Sequence, residues 1–248
     1  MTLQQAETSL IRDIAPGDQM HGYAPDWYFA AGRSAIENID LALRAAKVKE
    51  PQRVLDFACG YGRVLRWLAA VYPNAELTAC DVNVRAIDYC ARTFGARPVQ
   101  SDLDTAKIGL GGQFDLIWSG SLLTHVGAKP WKDILDLFVS ALAPGGVLVF
   151  TTMGRIVVDK RLRVGDRLSF TPEQAEQVLS DYDQTGFGFA PSVLPKYEWG
   201  DCVASPPWVC SQIERTSLRL VLYTEGGWGE RPDEWAQDVV AATLPRPN

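Results

Sequence analysis

Apolar positions along the chain fall into short runs separated by stretches of helical period. Val54-Leu55 with Phe57, Leu77 to Cys80, Arg97 to Gln100, Phe114 to Trp118 and Val147 to Thr152 read as short, largely buried strands. Between them, Gly62 to about Tyr72, Val84 to Phe94 and Trp131 to Ala143 carry apolar residues three and four apart, as in Ile134, Leu135, Phe138 and Leu142. Strand and helix alternate, which predicts a mostly parallel sheet with right-handed crossovers and helices on both faces. Ahead of this core, Leu3, Ala6, Leu10 and Ile14 predict a short helix, residues 15–25 a loop, and Asp26 the cap of a helix from Trp27 to about Ala46. Gly32 inside that helix costs about 1 kcal/mol against alanine, which points to a close approach by some neighbour.

The last hundred residues are less regular. Residues 154–170 read as a loop with charge from Asp159 to Arg163, and 186–204 as an ordered aromatic loop carrying Tyr197 and Trp199. Thr171-Pro172-Glu173-Gln174 has the capping box and early proline of a helix start. Ser205-Pro206-Pro207-Trp208 caps a further helix, and Leu218 to Thr224 and Gln237 to Leu244 predict two final strands. Nothing repeats and no linker interrupts the chain, so residues 1–248 read as one domain with an insertion between its fifth and sixth strands.

Composition narrows the class. A 248-residue chain with 47% hydrophobic and 22% charged residues suits a soluble α/β domain with a sizeable core. No apolar run approaches the roughly 20 residues of a membrane span. The first residues lack a basic segment followed by an apolar one, so no signal peptide is read and a cytoplasmic setting is expected. Five cysteines without a Cys-x-x-Cys argue against a disulfide framework or a zinc site, and no metal is expected. The net charge of −6 disfavours general nucleic-acid binding. Lys160-Arg161-Leu162-Arg163 reads as a solvated face.

The chemistry is concentrated in Asp56-Phe-Ala-Cys-Gly-Tyr-Gly62, a glycine turn between the first strand and its helix. Ligands of nucleotide type sit at this place in parallel sheets. Asp81, about twenty residues on at the end of the second strand, suits ribose hydroxyls. The third glycine of a dinucleotide fingerprint is replaced by Leu65, so the pyrophosphate site is poorly made while the ribose site is kept. This suits a nucleoside without phosphates.

These residues resemble motif I of the class I S-adenosylmethionine-dependent methyltransferases, Asp/Glu-x-Gly-x-Gly-x-Gly, with Ala58 in place of the first glycine. Pro144-Gly145-Gly146 before Val147 to Phe150 resembles that family's turn into its fifth strand, and the resemblance covers roughly residues 50–153. It looks like a bacterial subgroup of unassigned substrate. The resemblance implies a Rossmann-like, mostly parallel seven-stranded sheet with its last strand antiparallel. It implies a helical lid over 1–50, a cofactor core over 51–153, a substrate region over 154–216 and a strand pair over 217–248. S-adenosylmethionine would be held by Asp56, Ala58, Cys59, Gly60, Gly62, Asp81, Val82, Asp102, Leu103, Ser119 and Gly120, with Tyr28, Gly32 and Arg33 as candidates for the lid.

His125, in the loop after the fourth strand, is the candidate general base, its ordinary pKa lying near neutrality. Tyr23, Trp27, Tyr197, Trp199 and Trp208 suit an aromatic wall around a small-molecule or glycan-like acceptor. Two alternatives stand beside methyl transfer. One is a non-catalytic S-adenosylmethionine-binding sensor. The other is a nicotinamide-dependent oxidoreductase, which the Leu65 position and the lack of a Tyr-x-x-x-Lys pair disfavour.

Overall fold

The computed structural model describes residues 3–23, 25–191, 199–229 and 236–246. Tyr197 and the side chains of Tyr23 and Asp26, named above for the wall and the helix cap, lie outside the described residues.

Seven strands form the main sheet: β1 Arg53–Phe57, β2 Glu76–Asp81, β3 Arg97–Gln100, β4 Phe114–Ser119 and β5 Leu142–Thr152, with β8 Arg219–Trp228 and β9 Gln237–Thr243. Their order is β3-β2-β1-β4-β5-β9-β8. β1 to β5 pair in parallel, and β9 runs antiparallel between β5 and β8. This is the expected fold, and it reverses strand order at β1 and β4, where an open sheet leaves a crevice at the strands' carboxyl ends. Because β9 is antiparallel, its first residues, Gln237 and Asp238, lie at that same end beside Thr151 and Thr152.

Each sheet face buries one apolar layer. Helices α1 (Leu3–Thr8), α3 (Pro25–Ala45), α4 (Leu65–Val71) and α5 (Val84–Phe94) cover one face through Ala35, Ile39, Leu65, Leu68 and Ile87. Helices α6 (Ala128–Ala141) and α9 (Pro206–Glu214) cover the other through Trp131, Leu135, Phe138 and Val209. Local sequence sets the helix ends. Asn83 caps α5 by accepting from the Arg85 and Ala86 amides, and Gly95 closes it at φ +68°. The capping box predicted at Thr171 and Gln174 opens α8 (Pro172–Thr185).

Four stretches differ from the sequence reading. Residues 15–25 hold a five-residue helix, α2 (Gln19–Tyr23). Residues 154–170 fold as α7 (Arg155–Lys160) and a single 3-10 turn over Leu162–Val164, because Val157, Val158 and Leu162 have a satellite core to enter with Phe170, Val178 and Val203. The aromatic stretch 186–204 contains a two-stranded antiparallel sheet, β6 (Phe187–Pro191) with β7 (Gly200–Ala204). The Pro-Gly-Gly turn lies inside β5 rather than before it. Phe114 pairs with Leu142 and Leu116 with Val147, so Ala143 to Gly146 form a bulge. A side chain at Gly146 would meet the Phe114 carbonyl at 2.7 Å.

Candidate functional site

The loop after β1 passes under the crevice in a conformation that few side chains adopt. Ala58, Gly60 and Gly62 have φ of +62°, +51° and +82°. At Gly62 the missing Cβ also makes room for Phe94, whose ring would lie 2.6 Å from one. At Gly60 a Cβ would meet nothing within 4 Å, so that turn borders open space. Ala58 occupies the left-handed region despite its side chain, at a cost on the order of 1–2 kcal/mol.

Asp81 fastens this loop. Its Oδ2 accepts from the Gly60 amide at 2.8 Å and its Oδ1 from the Asn83 amide at 2.9 Å. Each oxygen has a second lone pair to offer a ligand hydroxyl. Next to it Val82 is 47% exposed, and Leu103, beyond β3, is 53% exposed. Two exposed apolar side chains beside a carboxylate suit the faces of a flat heterocycle. Asp102 uses Oδ1 to accept from the Asp104 amide at 2.8 Å, so it also closes its own turn. Cys59 and Cys90 both place their sulfur near the Gly60 carbonyl, at 3.4 and 3.5 Å. The hydrogen bond between the two cysteines, together with burial, holds the Cys59 thiol protonated.

Asp56 is buried on β1, and its Oδ2 has no hydrogen-bond partner among the described residues. Burial, together with the charge of Asp81, pushes its carboxyl up to about 8, although the Leu65 amide and Arg63 favour the ionised form. Such an acid is poised to gain from a cation. The Ser119 hydroxyl at the end of β4 is likewise buried without a partner among the described residues. A side chain on Gly120 would meet the Trp118 and Trp228 rings at 3.1 Å, so that edge-to-face pair sits directly against the strand end.

The lid candidates are placed by packing. A Cβ on Gly32 would collide with Trp67 and come within 2.5 Å of the Arg63 carbonyl, so the close neighbour of this glycine is α4. Tyr28 is fully buried and its hydroxyl donates to Asp18. Arg33 is half-exposed in ion pairs with Glu7 and Glu37.

Arg66, which the sequence reading passed over, is 1% exposed. It donates to the carbonyls of Gly62, Ile11 and Asp13 and to the Tyr28 hydroxyl, at 3.1, 2.8, 3.0 and 3.2 Å. This one guanidinium ties the segment before α2 to the glycine loop. Its only sequence signal is an arginine among the inward-facing residues of a helix. A second group missed from sequence is a polar triangle at the strand ends. The Ser121 amide donates to Thr151 Oγ1 at 2.8 Å, that hydroxyl donates to Gln237, and Gln237 donates to Ser121 Oγ at 2.9 Å. Its members are more than a hundred residues apart at the extremes and only the antiparallel β9 unites them.

His125 lies where the inserted hairpin meets the loop after β4. The Cys202 amide donates to the Thr124 carbonyl at 2.8 Å and the Gly200 amide to the His125 carbonyl at 2.9 Å. His125 Nδ1 is 2.8 Å from Asp201 Oδ1 and 3.0 Å from the Gly200 carbonyl. Burial alone would pull the imidazole down, but the bond and charge of Asp201, with the Gly200 carbonyl, outweigh it and raise its pKa. Trp199 bridges to Val126, and Trp208 stacks on Phe187 and against Trp131, so Trp208 closes the core under the hairpin.

Residues 54–146, less than half of the chain, match the family described as methyltransferase domain. Over 121 residues the chain is 31% identical to a trans-aconitate 2-methyltransferase of Streptomyces avermitilis, covering 46% of this chain and 44% of that protein. Over 111 residues it is 37% identical to ribosomal RNA small subunit methyltransferase C of Idiomarina loihiensis, covering 42% and 32%. The chain thus spans less than half the length of either relative. Its fold superposes on the crystal structure of an S-adenosylmethionine-dependent methyltransferase from Clostridium acetobutylicum with TM-score 0.61 and 14% identity, over 92% of this chain and all of that one.

Proposed function

We propose that the chain, whose residues 54–146 match a methyltransferase domain, is a class I S-adenosylmethionine-dependent methyltransferase that acts on a small-molecule or glycan-like acceptor. The observation that carries the reading is Asp56, a buried carboxyl with an unpartnered oxygen beneath an open glycine loop. The residues present fit the cofactor. Asp81 would take the ribose hydroxyls, Val82 and Leu103 the faces of the adenine and Asp102 its amino group. Gly60 would admit the cofactor's approach to the backbone, and Asp56 would face the amino-acid ammonium. Bound there, S-adenosylmethionine supplies an electrophilic methyl group on a sulfonium sulfur.

The chain's part is then to bind, orient and keep water out, and alignment of two bound reactants is worth a large share of such a barrier. Tyr28, Gly32 and Arg66 support the loop from behind. Ser119 and Gly120 would border the cofactor and the Ser121–Thr151–Gln237 triangle the acceptor, with His125 available to take a proton. Uncharged hydrogen-bonding groups beside the Trp118–Trp228 pair suit an uncharged, hydroxyl-bearing molecule. The net charge of −6 supports a small acceptor over a polyanion such as RNA.

Calorimetry with S-adenosylhomocysteine, NAD and NADP tests the reading. Binding of S-adenosylhomocysteine alone is expected. Asp81→Ala should weaken that binding about 10- to 100-fold by removing charge-assisted hydrogen bonds worth about 1.5–3 kcal/mol. Preference for a nicotinamide cofactor would overturn the proposal, and unchanged affinity in the variant would remove Asp81 from the ribose site.

A further inference from the structure

We propose that Asp201, on the inserted hairpin, is a positioning residue that keeps the proton of His125 on Nδ1 and so leaves Nε2 to accept the proton of an acceptor hydroxyl. The inference deepens the reading above and rests on it. Its basis is geometric. Asp201 Oδ1 and the Gly200 carbonyl both face Nδ1, at 2.8 and 3.0 Å, and both are acceptors of a hydrogen bond. A nitrogen between two acceptors carries the proton in the neutral ring, and the other nitrogen then holds the lone pair.

The backbone holds Asp201 in place for this pairing. Main-chain bonds on either side of Asp201, from Gly200 to His125 and from Cys202 to Thr124, fix the register of β7 against the loop. Asp201 is itself 18% exposed, whereas the histidine side chain is 42% exposed. With Nδ1 turned toward the hairpin, the half-exposed ring keeps part of its surface open while Asp201 behind it is covered. Among the described residues Asp201 is the one charged group that bears on the ring.

The arrangement also narrows the acceptor. A carboxylate acceptor is already ionised at neutral pH, so a base has nothing to remove. An amine sheds its proton to water before it reacts. A hydroxyl must lose its proton during the transfer. Its oxygen forms the bond to the methyl carbon as the carbon–sulfur bond breaks, the electron pair of that bond stays on sulfur as a neutral thioether, and the hydroxyl proton passes to Nε2 and then to water.

The test is a nitrogen-15 NMR titration of the imidazoles in the full chain, with and without S-adenosylhomocysteine. The chain has two histidines, so His21→Gln assigns both. The expected result is an Nδ1–H tautomer for neutral His125 and a midpoint above that of a free imidazole. In Asp201→Asn the midpoint should move to lower pH, and in Asp201→Glu, which keeps the carboxylate, it should stay raised. A dominant Nε2–H tautomer, or an Asp201→Asn midpoint that does not move, would sink the role of Asp201. Should Asp201→Asn not fold, the wild-type tautomer and the Asp201→Glu midpoint decide. Failure to bind S-adenosylhomocysteine would instead overturn the methyl-transfer reading, and the use of Nε2 with it, whatever the tautomer.

Discussion

Asp56→Asn reports on the energetics of the site before any acceptor is known. The carboxyl has an ordinary value of 3.8 and is pushed up to about 8 in the folded chain, chiefly by burial and then by the charge of Asp81. An acid raised in this way stabilises the fold fully below its unfolded value, and that stabilisation is lost as pH rises through the folded one. Each pH unit in the window is worth about 1.4 kcal/mol, so about four units set a ceiling of about 6 kcal/mol. Asp238, buried at the start of β9, behaves alike but stands at about 6, so its contribution is spent by then. Between pH 6 and 8 the wild-type slope is therefore expected to exceed that of Asp56→Asn by up to about 1.4 kcal/mol per unit. For a chain of this size that is about 3–6 °C in Tm per pH unit. Thermal unfolding of both proteins from pH 5 to 9, without ligand, reads the difference directly, because the raised His125 is common to both. Parallel curves above pH 6 would refute the argument and mean that Arg63 or water already compensates the charge. A cofactor ammonium facing Asp56 should flatten the wild-type curve in saturating S-adenosylhomocysteine, and the asparagine variant should bind it more weakly.

Two further substitutions probe the loop and its support. Ala58→Gly should stabilise the protein by about 0.5–1 kcal/mol in urea, since relief of the left-handed conformation exceeds the added freedom of the unfolded chain; a loss of stability would show that the alanine methyl is worth more in packing than its strain. Gly32→Ala should cost about 1–3 kcal/mol in the same assay, because its methyl meets Trp67 and the Arg63 carbonyl. A neutral result would mean that α3 can slide over α4 freely.

The sheet was legible because a parallel strand buried on both faces writes itself as an apolar run, as Val147 to Thr152 does, and amphipathic helices fill the gaps. The glycine loop was legible because positive φ and close backbone approach restrict residue type there, and Asp81 because a carboxylate that fastens the loop has to stand at the end of the neighbouring strand. The hairpin β6–β7 was not, since Gly188 and Gly200 sit in it where neighbouring carbonyls crowd the backbone and β-branched residues are few. Helix α7 escaped for a different reason. Its apolar residues face a small separate core whose existence depends on α8 and β7 arriving from later in the chain. Gly32 announced a close approach correctly in kind, but sequence cannot say that the neighbour is a helix rather than a ligand. Asp201 had no local signature at all. It is 76 residues from His125, and only the register of two short strands makes them partners.

The inserted hairpin is joined to the rest of the molecule in two ways: by buried side chains such as Phe187, Cys202 and Val203, and by amides and carbonyls, Gly200 to His125, Cys202 to Thr124, and Ala204 to Met153. Those atoms are the same whatever the side chain. The main-chain share of that attachment asks nothing of the side chains, so the hairpin's outward positions, such as Pro191, can change while the buried ones and the scaffold beneath stay unaltered. Only that main-chain part of the seam works as a universal coupling, and novelty in such a protein is expected to accumulate on the outward side of the attached piece.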